Sequence, residues 1–287
     1  MAQNDNATLV AAKGYAFTAE VGTARPTPAE IAAFNPTTFG ARVVTLALTG
    51  TPTGGTVTPS IAAQATSALP YNVSFAALKT ALEALSSVGA GKVLSITGTV
   101  GTSYVVTLDQ SVDGALSVSH ALTGGTSPAA TFTQTTAALP WGAVGHTSRD
   151  EMPEFGYDGG DKELKGSWQN PRLRRIQTDP YADYLTAQLL QFDRAALGLY
   201  YAVDGGSEDG VFSVDEVDNL VNEKALLVIM VDGNNKLGFY APKADICRDE
   251  AISTPVDDLA ALPIKATFLQ ITGQPVYEWI NEDLFAI

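Results

Sequence analysis

The chain has 287 residues and a mass of 30.0 kDa, room for one large domain or two of ordinary size, and 45% of it is hydrophobic, so a sizeable core can form. Its 31 acids against 17 bases leave a net charge of −14, with no basic cluster beyond Arg172, Arg174 and Arg175, a poor basis for gripping nucleic acid through its phosphates. The lone Cys247 excludes an intramolecular disulfide framework and a cysteine-rich zinc site, and only two histidines, His120 and His146, are present for metal or acid–base work.

The charge is unevenly spread. Residues 41–137 hold three bases (Arg42, Lys79, Lys92) and three acids (Glu83, Asp109, Asp113), so the entire −14 belongs to residues 1–40 and 138–287. The start, Met1-Ala2-Gln3-Asn4-Asp5, carries neither the basic nor the apolar region of a secretory signal, and the longest strongly apolar run, Ala225 to Val231, is far below the roughly 20 residues of a membrane span. A soluble intracellular product without membrane contact is expected.

In chain order, Tyr15-Ala16-Phe17-Thr18 predicts a strand. Thr27 with Pro28 and Glu30 predicts the capped start of a helix that ends near Phe34, before Asn35-Pro36. From 41 to 137 the character changes: 29 of these residues are Ser or Thr, and short β-type runs alternate with Gly/Thr turns. Arg42–Thr49 is the first run, followed by a turn at Thr51-Pro52-Thr53-Gly54-Gly55. Val93–Thr97, Tyr104–Leu108, Leu116–His120 and Thr131–Thr135 are the others. Between them Ser74 caps a helix whose stripe is Phe75, Leu78, Leu82 and Leu85 and whose end is set by Gly89-Ala90-Gly91. The block reads as a small α+β module inserted into the flanks.

Beyond residue 138, residues 146–166 read as polar and turn-rich. Tyr184–Phe192 fits a strand or a helix, Asp193 caps a short helix over Arg194–Tyr201, and Asp204–Gly210 is a surface loop. Ala225–Val231 and Lys236–Tyr240, joined through Asp232-Gly233-Asn234-Asn235, predict a hairpin; Leu262–Gln270 and Pro275–Ile280 predict a closing pair of strands. The flanks are therefore expected to be mainly antiparallel β.

Catalytic and ligand motifs fail on inspection. Gly89-Ala90-Gly91-Lys92 lacks the glycine and hydroxyl residue of a phosphate loop, with Ser86 and Val93 in those places, and it follows a helix where a strand is needed. In a calcium loop over Asp204–Asp215, Asp209 would occupy the obligatory glycine position and Gly206 a ligand position. The run Asp215-Glu216-Val217-Asp218 reads as a charged face. Cys247, inside the alternation Ala244-Asp245-Ile246-Cys247-Arg248, is expected to be a buried structural cysteine, and no Gly-x-Ser-x-Gly elbow occurs. No pair of carboxylates is singled out, so no catalytic, cofactor or metal residues are assigned and no enzyme is expected.

Other runs carry a resemblance. Gly145-His146-Thr147-Ser148-Arg149-Asp150-Glu151-Met152-Pro153-Glu154-Phe155-Gly156, Gly159-Gly160-Asp161 and Gly166-Ser167-Trp168-Gln169-Asn170 resemble the major tail protein, the tail tube subunit, of long non-contractile-tailed actinobacterial phages. Leu9–Tyr15, Asn222–Val228 and Tyr277–Phe285 are similar to the same family, and the middle block, with Ala81–Leu85, Val88–Gly91 and Leu122–Thr126, resembles a tail-associated module. The resemblance implies a β-sandwich or barrel-like tail tube fold with short helices, formed by residues 1–40 and 138–287 and interrupted by the small α+β module, 41–137, projecting outward. It implies a virion structural protein, made in the host cytoplasm, whose hexameric rings stack helically into the tail tube. The implied partners are further copies of itself and the tape measure, tail terminator and distal tail proteins, with DNA passing through the lumen unbound. Subunit or ring-to-ring contacts are expected at His146, Arg149, Glu154, Phe155 and Trp168. The alternative expectation is an adhesin-like module recognising host-surface glycans through 41–137, with Tyr71, Phe75, Tyr104 and Phe132 as its aromatics.

Overall fold

Strands are the dominant regular element of the chain, and alternating apolar side chains shape several of them. The computed structural model describes residues 8–214 and 221–285, so the acidic run 215–218 and Asp215 of the loop weighed for calcium lie outside the described residues. The elements are β1 (Lys13–Ala19), α1 (Pro28–Ala32), β2 (Arg42–Thr49), β3 (Gly54–Ile61), β4 (Gln64–Ala65), β5 (Leu69–Pro70), α2 (Phe75–Glu83), β6 (Val93–Thr99), β7 (Ser103–Leu108), β8 (Leu116–Thr123) and β9 (Ala129–Thr136). There follow β10 (Gly142–Ala143), β11 (Glu154–Asp158), β12 (Lys162–Lys165), β13 (Arg174–Gln177), β14 (Ala182–Leu189), α3 (Arg194–Tyr201), β15 (Glu223–Asp232), β16 (Asn235–Arg248), β17 (Leu262–Phe268) and β18 (Glu278–Ile280). The protein is mainly β, with antiparallel sheets and, among the described residues, three short helices. None of these is long and apolar enough to cross a membrane.

The chain divides into two compact units, Met1–Ala33 with Trp141–Ile287, and Phe34–Pro140. In the first, strands run in the order β10-β1-β15-β16-β17-β14-β11, with β18 also on β16. Register places Ala16, Val228, Phe239 and Trp279 on one face and Phe17, Leu227, Tyr240 and Glu278 on the other. Ala196, Leu199 and Tyr200 of α3 join the first face in one buried cluster with Leu226, Val228 and Phe239. Over the second, Ile31 of α1 lies against Gly238 and Trp141 packs edge-on to Tyr240 at 6.0 Å. With both faces covered, Ala225–Ile229 is buried without a break, which is why that segment reads as a continuous apolar run. Thr27 and Glu30 close a reciprocal capping box on α1. Gly233, at φ +58°, supplies the first central position of the two-residue β15–β16 turn.

In the second unit the sheet β6-β7-β2-β9 and the sheet of β3, β4, β5 and β8 enclose one core with α2. Arg42, at 5% exposure, begins the inward row of β2; its guanidinium donates to Gln134 Oε1 at 2.7 Å and to the carbonyls of Gly114 (2.8 Å) and Val112 (3.3 Å). The Asp109 carboxylate accepts from Lys92 Nζ at 2.9 Å and from the Ser111 backbone and hydroxyl. Burial alone would raise its pKa, but the bonds from Ser111 and Lys92 outweigh burial and hold it below the usual carboxylate value. A depressed folded pKa gives stability that is present above the unfolded value and is lost as pH falls through the folded one. The melting temperature of this unit is therefore expected to fall below about pH 4, and Asp109→Asn to flatten that fall, as pH-dependent melting would register.

Several sequence expectations need correction. The helix begun by Ser74 ends at Glu83, well before Gly89. Gln64 bonds Ser86 Oγ and accepts from Ser87 N, and Ser87 Oγ donates to the Ile61 carbonyl, so the Ser87 amide is taken from the helix ladder by a side chain. Gly54 and Gly55 open β3, a strand disguised by its Gly, Thr and Pro content. Residues 146–166, read as turn-rich, contain β11 and β12. Tyr184–Phe192 resolves as strand β14. The last two strands do not pair with each other: β16 is long enough to take β18 at Gly238–Tyr240 and β17 at Ala244–Arg248. Cys247 is exposed, because Ala244 and Ile246 take the inward positions of that row.

Candidate assembly surfaces

The sheet of the first unit is open. Among the described residues β11 pairs only with β14, and β10 only with β1, so each end presents backbone groups without a strand partner. Beyond β11 the chain leaves the sheet at Gly159 and Gly160, with φ +76° and +82°; a side chain at Gly160 would collide with the Tyr181 ring. The excursion is a hairpin, β12 against β13, whose residues 161–181 are all exposed. At its tip the Ser167 amide donates to the Asn170 carbonyl at 2.8 Å, the Asn170 amide donates to Ser167 Oγ, and Pro171 follows. That tight turn holds Trp168 outward at 98% exposure. Residues 162–177 contain five bases (Lys162, Lys165, Arg172, Arg174, Arg175) and one acid (Glu163), a basic arm on an acidic chain.

At the arm's base lies an aromatic cleft of about 200 Å³. Phe155 stacks on Phe239 (4.7 Å between centroids) and Trp279 (5.3 Å), and Tyr277 and Phe268 close on Phe239 from the other side. Tyr157 meets Tyr181 edge-on at 5.7 Å. Phe155, Tyr157, Tyr277 and Trp279 remain 37–66% exposed. Asp183 is the charged residue of the lining, and no base lines it.

The five residues expected at contacts are all exposed, and they fall at four places. His146 runs beside the end of β14, its carbonyl accepting from Leu190 N at 2.8 Å. Arg149 and Glu154 line one groove of about 540 Å³ along with Glu151, Asp249 and Glu250, while Phe155, on the opposite face of β11 from Glu154, belongs to the cleft. Trp168 stands apart on the arm. The sequence reading passed over Tyr157, Tyr181, Phe239, Tyr277 and Trp279 as a surface. Two aromatic-x-aromatic spacings are the available signal: Phe155/Tyr157 share one face of β11, and Tyr277/Trp279 run from the segment before β18 into it.

The Cys247 thiol is pushed up by partial desolvation and then by Asp245 and Asp249, away from the reactive thiolate. The Asp204–Val211 loop closes around Arg194, whose guanidinium donates to the carbonyls of Asp204, Gly206, Glu208 and Val211, using oxygens a cation would need. Among the described residues no group of three or more His, Cys, Asp or Glu could hold a metal. In the second unit Tyr104 and Phe132 are buried, and Tyr71 and Phe75 pack partly buried against the same core.

Open sheet edges, a basic arm and an exposed aromatic cleft are the surfaces this unit leaves uncovered among the described residues. Residues 111–287 match the family model described as phage tail tube protein. Over 152 residues the chain is 49% identical to the major tail protein Gp23 of Mycobacterium phage D29 and to that of Mycobacterium phage L5, covering 53% of this chain and 76% of each relative. The chain belongs to the phage tail tube protein family. It is a structural component of the phage tail that self-assembles there, and it is not an enzyme.

Proposed function

We propose that the chain forms hexameric rings that stack helically into the tail tube, the conduit through which genome DNA leaves the virion. The open eight-stranded sheet is the observation that carries this reading: joining β10/β1 of one copy to β11 of the next would extend the ladder around a ring until no edge is left. The residues of 146–170 outside β11 then serve ring-to-ring contact, because stacking identical rings needs head-to-tail surfaces that do not close. His146, Arg149, Glu154, Phe155 and Trp168 are assigned to ring-to-ring or subunit contacts, and the tape measure, tail terminator and distal tail proteins to the tube's interior and ends.

The charge supports the same reading. The −14 lies wholly on the flanks, and carboxylates facing a lumen would repel phosphate and keep DNA mobile. The neutral block 41–137 is placed outside the tube, inserted into a domain made of 1–40 and 138–287. The matched relatives are shorter than this chain, as 152 residues are a larger share of each of them, which fits an added block here. Assembly takes place in the host cytoplasm. Electron microscopy of the purified protein is expected to show sixfold rings and tubes of uniform diameter; a chain that stays monomeric under all conditions would overturn the proposal.

A further inference from the structure

We infer that Trp168 of one copy seats in the aromatic cleft of a second copy, a knob-and-socket contact between successive subunits; it rests on the tube reading above. The knob is a large apolar ring at 98% exposure, fixed by a hydrogen-bonded turn rather than trailing from a loose loop. Exposed tryptophan at a rigid tip is an expensive feature for a soluble monomer and a common anchor of binding energy in interfaces. The socket is lined by Phe155, Tyr157, Tyr277 and Trp279, and its volume of about 200 Å³ suits a single aromatic side chain.

Charge selects the occupant. The arm carries five bases and one acid, whereas the socket carries Asp183 and no base, on a chain whose overall charge is −14. A second copy supplies both halves with complementary sign. The arm's own socket is out of reach: it lies at the hairpin's base, beside Tyr157 and Tyr181, while β12 alone carries the chain roughly 13 Å away. Knob and socket lie on different patches of one chain, so the contact is head-to-tail and propagates without closing, as stacking demands.

Trp168 is almost fully exposed, so Trp168→Ala should leave folding and melting unchanged in the full-length protein, whereas Tyr157→Ala should keep the fold and lose only the small contribution of its edge-on contact with Tyr181. Each is expected to raise the protein concentration needed for tubes roughly tenfold or more, measured by sedimentation and microscopy. The double variant should be little worse than either single one, since both remove the same contact. Trp168→Phe should restore most assembly, and the wild-type tryptophan emission should shift to the blue on assembly by an amount that this variant lacks. Normal tubes from Trp168→Ala, or full additivity in the double variant, would overturn the inference while leaving the tube intact. Unchanged assembly with weakened retention of DNA would overturn it in favour of a nucleic-acid contact. A wild type that forms no tubes would instead defeat the underlying reading, before any variant is compared.

Discussion

Replacing Phe239 by alanine is expected to cost the flanking unit about 3–5 kcal/mol, the range for removing a fully packed aromatic ring. Phe239 is 1% exposed, and four rings meet it: Phe155 at 4.7 Å, Phe268 and Trp279 at 5.0 Å, and Tyr277 at 5.5 Å. These partners come from β11, β17, β18 and the segment before it, so one side chain ties the edge strand to the centre of the sheet. β11 is three strands away from β16 along the ladder, so the Phe155–Phe239 contact adds a direct side-chain tie between two strands that are not ladder neighbours. Against a typical total of 5–15 kcal/mol for a domain, the loss is a large share. Denaturant unfolding followed through tryptophan emission, which reports on the flanking unit because Trp141, Trp168 and Trp279 all lie in it, should show its transition move to lower denaturant. Phe239→Leu, which keeps most of the volume, should lose far less. A cost near zero for the alanine variant would mean that the ring cluster is not a packed hub.

The same cluster shows where sequence reading stops. Strand and helix positions were legible wherever one short-range rule decided them: the Thr27/Glu30 capping box, Asp193 capping α3, the Asp232–Asn235 turn and the alternation of Arg42–Thr49 all form as their residues imply. Composition misled where a partner elsewhere in the chain decided the outcome. Gln64 ends α2 from twenty residues away, and β3 is a strand because β8 pairs along its full length despite Gly54, Gly55 and Pro59. Cys247 was misplaced by one position of a period-two pattern, which is enough to move a side chain from one face of a sheet to the other. The arm was legible as a motif and as a fragment of charge, Arg172 with Arg174 and Arg175. Its meaning as a hairpin needed Lys162 and Lys165 brought across from the opposite strand. The cleft was illegible because its walls come from four separate stretches of chain, and no local rule joins Phe155 to Trp279.

Excising residues 41–137 and closing the gap with two glycines is expected to leave a soluble protein that still assembles into tubes of unchanged inner diameter. The geometry of the neck favours this outcome. The Leu139 amide donates to the Gly40 carbonyl at 3.0 Å, so the chain enters and leaves the block at adjacent points, and a short link can span them without strain. The block also keeps its own core, from Val44 and Leu46 to Phe132, so its removal takes a complete cluster away rather than half of one. Were these residues integral to the tube domain, the excised chain would aggregate or stay unfolded, an all-or-none difference that solubility and microscopy would register. Adsorption of virions carrying the excised protein is expected to be unchanged, since two of the block's four aromatics are buried and the other two pack partly buried against its core; lost adsorption would revive the glycan-binding reading. Charge cannot confound the comparison. The block holds three bases and three acids, so the shortened chain keeps its −14, and any altered salt dependence of assembly would have to come from contacts the block makes in the tube.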